Sequence, residues 1–202
     1  VESGFRPMIG QLLKAGANPT GYLHIPASKG QLEILDLLIL RGAPPEEGLE
    51  AAIKHHQVAI VERLIAAGAD VSAPKYTEMA IRQGSFEIVQ LLAAAGADPN
   101  LIIDGESILH RAVKKVGNES LVATLLANGA DPNEATPEGN SILHEIVGEG
   151  NSHLSMVKML VEAGANVNAR NSDNHRVLYL ARGREMIKYL KDNGAEGRTL
   201  VN

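Results

Sequence analysis

Histidine is the residue type in this sequence best suited to chemistry. His24, His110 and His144 each follow a leucine in a similar local context. An imidazole can act as a general base or a metal ligand near neutral pH. A catalytic group is needed once per site, however, so recurrence at one register points to a structural role. His55-His56 offers two ligand-type side chains in a row, but adjacent helical residues point about 100° apart and do not converge on one ion. His144-Glu145 starts like a zinc-protease motif, yet the fourth residue after His144 is Gly148, and the second ligand is missing. The glycine-rich stretches are not followed by Lys-Ser or Lys-Thr, so no phosphate-cradling loop is indicated. No serine or acid–base constellation stands out. The expectation is therefore no catalytic, cofactor-binding or metal-binding residues, and no enzyme.

Composition narrows the remaining classes. The 202 residues are 45% hydrophobic, which suits a folded chain, but only 3% aromatic, with no tryptophan. The core must come from Leu, Ile, Val, Ala and Met, favouring closely packed helices over an aromatic-rich sandwich. There is no cysteine, which excludes disulfides, thiolate catalysis and cysteine zinc sites and fits a reducing, intracellular, cytoplasmic location. A formal charge of -5 gives no general attraction to nucleic acid or anionic membrane. The longest apolar run, Leu32 to Leu40, is broken by Glu33 and Asp36 and falls far short of the ~20 residues that span a bilayer. No signal-peptide pattern follows Val1.

The organising feature is a repeat. Seven Gly-Ala pairs each follow an apolar segment: Gly16-Ala17, Gly42-Ala43, Gly68-Ala69, Gly96-Ala97, Gly129-Ala130, Gly164-Ala165 and Gly194-Ala195. Their glycines are 26, 26, 28, 33, 35 and 30 residues apart. Apolar residues before them follow helical spacing, as in Ile60, Val61, Leu64 and Ile65. The glycine then supplies the left-handed residue that ends the helix. A second glycine 12 residues earlier, at Gly4, Gly30 and Gly84, ends a shorter helix. Each unit reads as helix, tight turn, helix, glycine stop.

On these residues the chain resembles the ankyrin repeat family over nearly its whole length. The segment Asn133-Glu134-Ala135-Thr136-Pro137-Glu138-Gly139-Asn140-Ser141-Ile142-Leu143-His144 carries the likeness of the first half of a unit. Gly84-Ser85-Phe86-Glu87-Ile88-Val89-Gln90-Leu91-Leu92 through Gly96-Ala97-Asp98 carries that of the second. The resemblance implies an all-α, ankyrin-type helical repeat solenoid, with short hairpin loops mainly in the C-terminal half. It also implies that the recurrent histidine bonds a neighbouring turn. The expected organisation is a single array over 1–202. Within it, 1–18 is a leading half repeat, 19–98 short repeats with reduced fingers, 99–196 near-standard repeats and 197–202 a tail.

Departures from the family's unit of about 33 residues are local. Only Pro44-Pro45-Glu46-Glu47-Gly48 and Asp70-Val71-Ser72-Ala73-Pro74-Lys75 stand where hairpin fingers belong. Pro26 is expected to disturb the early hydrogen bonds of its helix. His56 replaces a turn glycine, and about two extra residues between Gly150 and Met156 should bulge. Because the array opens on a lone outer helix, Met8 to Ala15, further sequence is expected before Val1. The charged last helix reads as a solubilising cap.

The family likeness places the ends of the inner helices, and the finger tips, on a concave binding groove. The equivalent pairs are Ser28-Lys29, Lys54-His55, Arg82-Gln83, Lys114-Lys115 and Gly148-Glu149. Four successive units carry Lys or Arg there, and the fifth carries Glu149. Two readings stay open: cations complementing helix dipoles, for about 0.3–1 kcal/mol each, or a basic stripe that receives an acidic peptide or protein surface. The fingers add Ile102, Ile103, Glu106, Glu138, Asn140, Asp173 and His175, with Ile102-Ile103 expected at an exposed tip. The expected partner is another protein, with an acidic segment; membrane is not expected, and nucleic acid is disfavoured because base-stacking aromatics are scarce. The expected function is a protein–protein interaction module. The alternative is the targeting arm of a larger effector, toxin or enzyme, acting inside a host cell if an effector.

Overall fold

The computed structural model describes residues 5–197. The chain forms two compact units that divide between Ala97 and Asp98. Both are built from helix pairs, and the expected all-α repeat fold is observed.

In the first unit the helices are α1 (Phe5–Lys14), α2 (His24–Lys29), α3 (Leu32–Leu40), α4 (Leu49–Lys54), α5 (Val58–Ala66), α6 (Pro74–Arg82) and α7 (Phe86–Ala94). The inner helices stack α2 on α4 and α4 on α6, while α1 packs on α3 and α5 on α7. Helix α5 shows the common logic. Ile60, Val61 and Leu64 form one buried stripe, each side chain stabilising by roughly 1.5–3 kcal/mol when fully covered. Beyond its last turn Gly68 takes φ 92°, so that Gly68 N–H bonds Ile65 O at 2.9 Å and Ala69 N–H bonds Leu64 O at 3.0 Å. These bonds close two orphan carbonyls, and the buried Ala69 seals the end. The same alanine-to-leucine bond recurs at Ala43, Ala97, Ala130, Ala165 and Ala195. The Gly-Ala repeat is therefore a helix-stop device.

Where a finger is missing, a 3₁₀ turn (Pro45–Gly48) takes its place. Its Gly48 is buried, and a Cβ there would stand 3.0 Å from a Leu64 methyl. Pro26 corrects an expectation: it is the third residue of α2. Backbone N–H groups of the first turn have no intrahelical partner, so its missing N–H costs nothing, and Ala27 N–H still bonds Leu23 O at 3.1 Å. His56 does stand in the left-handed region, at φ 54°, with its Nδ1 2.5 Å from Ser85 Oγ.

The second unit contains β1 (Ile102–Ile103), β2 (Glu106–Ser107), α8 (Ile108–Val113), α9 (Glu119–Ala127), α10 (Ile142–Ile146), a 3₁₀ segment (Val147–His153), α11 (Leu154–Glu162), α12 (Val177–Leu180) and α13 (Arg184–Asp192). The β1–β2 pair is an antiparallel hairpin with Ile103 opposite Glu106, turned by Asp104 and Gly105, both at positive φ. Later fingers are reduced to single bridges, Ala135 with Ser141 and Arg170 with Arg176. Three asparagines join successive repeats. Asn100 donates to Gly129 O at 3.0 Å and accepts Asp131 N–H at 2.9 Å. Asn133 does the same with Gly164 O and Asn166 N–H, and Asn168 with Gly194 O and Glu196 N–H.

The residues inserted after Gly150 form an ordered link. Asn151 Oδ1 accepts Met186 N–H at 3.2 Å at the start of α13, and Arg182 N–H bonds Val147 O at 3.0 Å.

Candidate functional site

The inner-helix ends of the first unit expose a row of cations. Lys29, Lys54 and Arg82 are the last residues of α2, α4 and α6, and all three are exposed. A helix that stops on a left-handed residue projects its last side chains past the apolar stripe, so stacked helices bring these ends to one edge. Arg82 is engaged by Glu78 on its own helix, Nε to Oε1 at 3.0 Å. Lys29 and Lys54 have no ion-pair partner among the described residues. His55 is exposed beside Lys54, and Gln83 is half-buried. Near the helix starts the sign is reversed: Lys75 Nζ meets Glu50 at 3.1 Å between α6 and α4, and Glu47 accepts Gly21 N–H at 2.6 Å.

The second unit handles its basic residues differently. Lys114 Nζ is bonded to Glu106 of the hairpin and lies 3.6 Å from Glu145 of α10. Arg111 donates to Ile103 O at 2.7 Å and lies 3.6 Å from both Asp104 and Glu106. The Lys114 hydrogen bond holds the Glu106 carboxyl below its ordinary range, and Glu106 in turn raises Lys114. This network orders the finger against α8. Arg111 and Glu145 were missed in the sequence, because the network joins residues from a strand, a turn and two helices. Lys115 and Glu149 are exposed at the ends of their inner segments.

The fingers only partly match expectation. Ile102 is 56% exposed but Ile103 is 4% exposed, since successive strand residues face opposite sides and Ile103 turns into the core. Only Ile102 is therefore an exposed apolar tip. Glu138 lends its carbonyl to Ser172 Oγ–H, and Asn140 Oδ1 accepts from Asn171 at 3.0 Å, so both are tied to the next finger. Asp173 is exposed. His175 stacks on Tyr179 with centroids 4.2 Å apart and planes 11° apart, an aromatic pair the sequence did not signal.

The recurrent histidines diverge. His144 Nδ1 accepts Ser141 N–H at 3.2 Å, and its Nε2 lies 3.0 Å from His175 O, as the resemblance implied. His110 is equally buried and meets Ser107 Oγ at 3.0 Å, but its Nε2 has no protein partner. His24 is exposed at the first position of α2, because no finger follows to cover it. Burial pushes both His110 and His144 below the ordinary imidazole range. No group of three or more metal-ligating side chains occurs among the described residues, and none of their helices is long and apolar enough to cross a membrane.

Residues 109–199 match the family model for ankyrin repeats, in three copies. The Notch-regulated ankyrin repeat-containing protein of Homo sapiens is 36% identical over 80 residues, covering 38% of this chain and 68% of that protein. The B-cell lymphoma 3 protein homolog of Mus musculus is 36% identical over 90 residues, 45% of this chain but only 19% of that longer protein. Among solved structures, an ankyrin repeat domain from Acinetobacter baumannii superimposes with a TM-score of 0.69 at 26% identity, covering 86% of this chain and 98% of that one. The ankyrin repeat domain of Bcl-3 gives 0.53 at 25% identity, covering 87% and 99%.

Proposed function

The chain belongs to the ankyrin repeat family, and we propose that it is a non-catalytic module that receives an acidic segment of a partner protein at its inner-helix ends. Ankyrin repeats are protein–protein interaction modules, which sets the general class. The observation that carries the specific reading is the pair Lys29 and Lys54. They end successive stacked inner helices, are exposed, and lack an ion-pair partner among the described residues. The stacking lines these two cations up along one edge, so an extended acidic chain laid across the stack meets one cation per repeat.

The preformed helix stack supports this reading, because a rigid surface loses little conformational entropy on binding. Because Lys114 is already engaged by Glu106, the proposed acidic contact is put on the first unit, with the hairpin tip, Ile102, and the His175–Tyr179 stack of the second unit proposed for apolar or aromatic contacts. The location proposed is intracellular. The short coverage of the mouse relative favours a secondary reading in which the array directs a larger protein to its target.

The test is fluorescence anisotropy with a fluorescein-labelled glutamate-rich peptide. Lys29→Glu with Lys54→Glu is expected to weaken binding by about tenfold at low salt. Unchanged affinity would reduce these lysines to helix-end complements.

A further inference from the structure

The cations at the inner-helix ends of the first unit stand at a regular spacing. Lys54 and Arg82 each lie two residues before the left-handed residue that ends their helix, His56 and Gly84, and Lys29 lies one residue before Gly30. Side chains tie these ends together. Gln57 Nε2 donates to Ser28 O at 3.5 Å and Gln83 Nε2 to Lys54 O at 3.5 Å. The two accepting carbonyls hold the same place, each two residues before a left-handed stop. His56 Nδ1 adds its contact with Ser85 Oγ across the same step. Each inner-helix end is therefore held in register with the next, and helices packed side by side lie roughly 8–10 Å apart.

We propose that this row selects a partner segment in the polyproline II conformation that carries a carboxylate at every third residue. Polyproline II rises ~3.1 Å per residue with three residues per turn, so residues i, i+3 and i+6 share one face roughly 9.3 Å apart. That repeat matches the spacing of stacked helices. A β-strand puts residues i and i+3 on opposite faces, and an α-helix returns one face at about 10.5 Å only every seventh residue. Like charges along a chain extend it, and polyproline II is a major conformer of unfolded chains, so such a segment loses little entropy on docking. Lys29 and Lys54, both exposed, take successive carboxylates. Arg82, already held by Glu78 at 3.0 Å, is the third and weaker position. The inference rests on the reading of these helix ends as the contact for an acidic segment. It adds the conformation and charge spacing of that segment, so the two can fail separately.

The probes are three fluorescein-labelled peptides, titrated into the full chain at low salt and followed by anisotropy. The first is Glu-Pro-Pro-Glu-Pro-Pro-Glu, the second has the same composition as Pro-Pro-Glu-Glu-Glu-Pro-Pro, and the third is a stapled helix with glutamate at every seventh position. The spaced peptide is expected to bind about fivefold more tightly than the block peptide, and Lys54→Glu should remove most of that preference. Circular dichroism checks the folding of the variant, and Lys54→Gln serves where the charge reversal unfolds the chain. Equal binding of the spaced and block peptides would overturn the proposed spacing while leaving an acidic contact in place, and so would tighter binding of the stapled helix. Binding of none of the three, or a preference that survives Lys54→Glu intact, would overturn the spacing together with the reading beneath it.

Discussion

His144 Nε2 lies 3.0 Å from the carbonyl oxygen of His175, a residue of the following repeat. The same ring accepts Ser141 N–H through Nδ1, so one neutral imidazole caps its own helix and ties it to the next finger. This needs the tautomer with its proton on Nε2. His144→Ala removes both bonds and leaves buried polar groups unpaired, for an expected loss of about 2 kcal/mol. Urea denaturation followed by circular dichroism measures it.

The two buried histidines make stability depend on pH. Burial lowers the folded-state pKa of His144 and His110 below the ordinary 6.5, so the unfolded chain binds more protons across the interval between the two values. Their contribution is complete above pH 6.5 and is lost as pH falls through the folded values. The urea midpoint is expected to fall between pH 7.5 and 5.5, and the decline should be shallower in His110→Gln with His144→Gln.

The asparagine links between repeats predict another loss. Asn133 bonds both Gly164 O and Asn166 N–H, and Asn133→Ala removes both. A destabilisation of about 1–2 kcal/mol is expected, with faster amide exchange at Ala165 and Asn166 as the local signature.

Gly183 stands at φ 86°, and a Cβ there would lie 2.4 Å from Asn151 Oδ1, the atom that caps α13. Gly183→Ala should cost about 1–3 kcal/mol through strain and displacement of the cap. Asn151→Ala should cost about 1 kcal/mol through the cap alone.

One substitution should stabilise. His56 holds φ 54° where comparable inner-helix stops use glycine, as Gly30 and Gly84 do. His56→Gly relieves a left-handed non-glycine residue but loses the Ser85 contact, and a net gain of about 0.5–1 kcal/mol is expected. A lower melting temperature would show that the Ser85 contact outweighs the strain.

Much of this architecture was legible because its devices are local. The Gly-Ala pairs encode a helix stop within six residues, and Asp104-Gly105 encodes a hairpin turn within two. What escaped depended on residues distant in sequence. The fate of Ile103 turned on which face of a two-residue strand meets the core. The neutralisation of Lys114 depended on Glu106 and Glu145, contributed by a neighbouring strand and the next inner helix. Pro26 was misjudged because two residues of helix register separate a harmless first-turn proline from a disruptive one.

The central claim, that an acidic partner segment lies across the inner-helix ends of the first unit, is tested most directly by backbone amide NMR. The isotopically labelled chain is titrated with the glutamate-rich peptide. Saturable shifts at Lys29, Gly30, Lys54 and His55, diminished by salt, are the predicted result. Shifts confined to the outer helices α3 and α5, or no saturable shift at low salt, would contradict it.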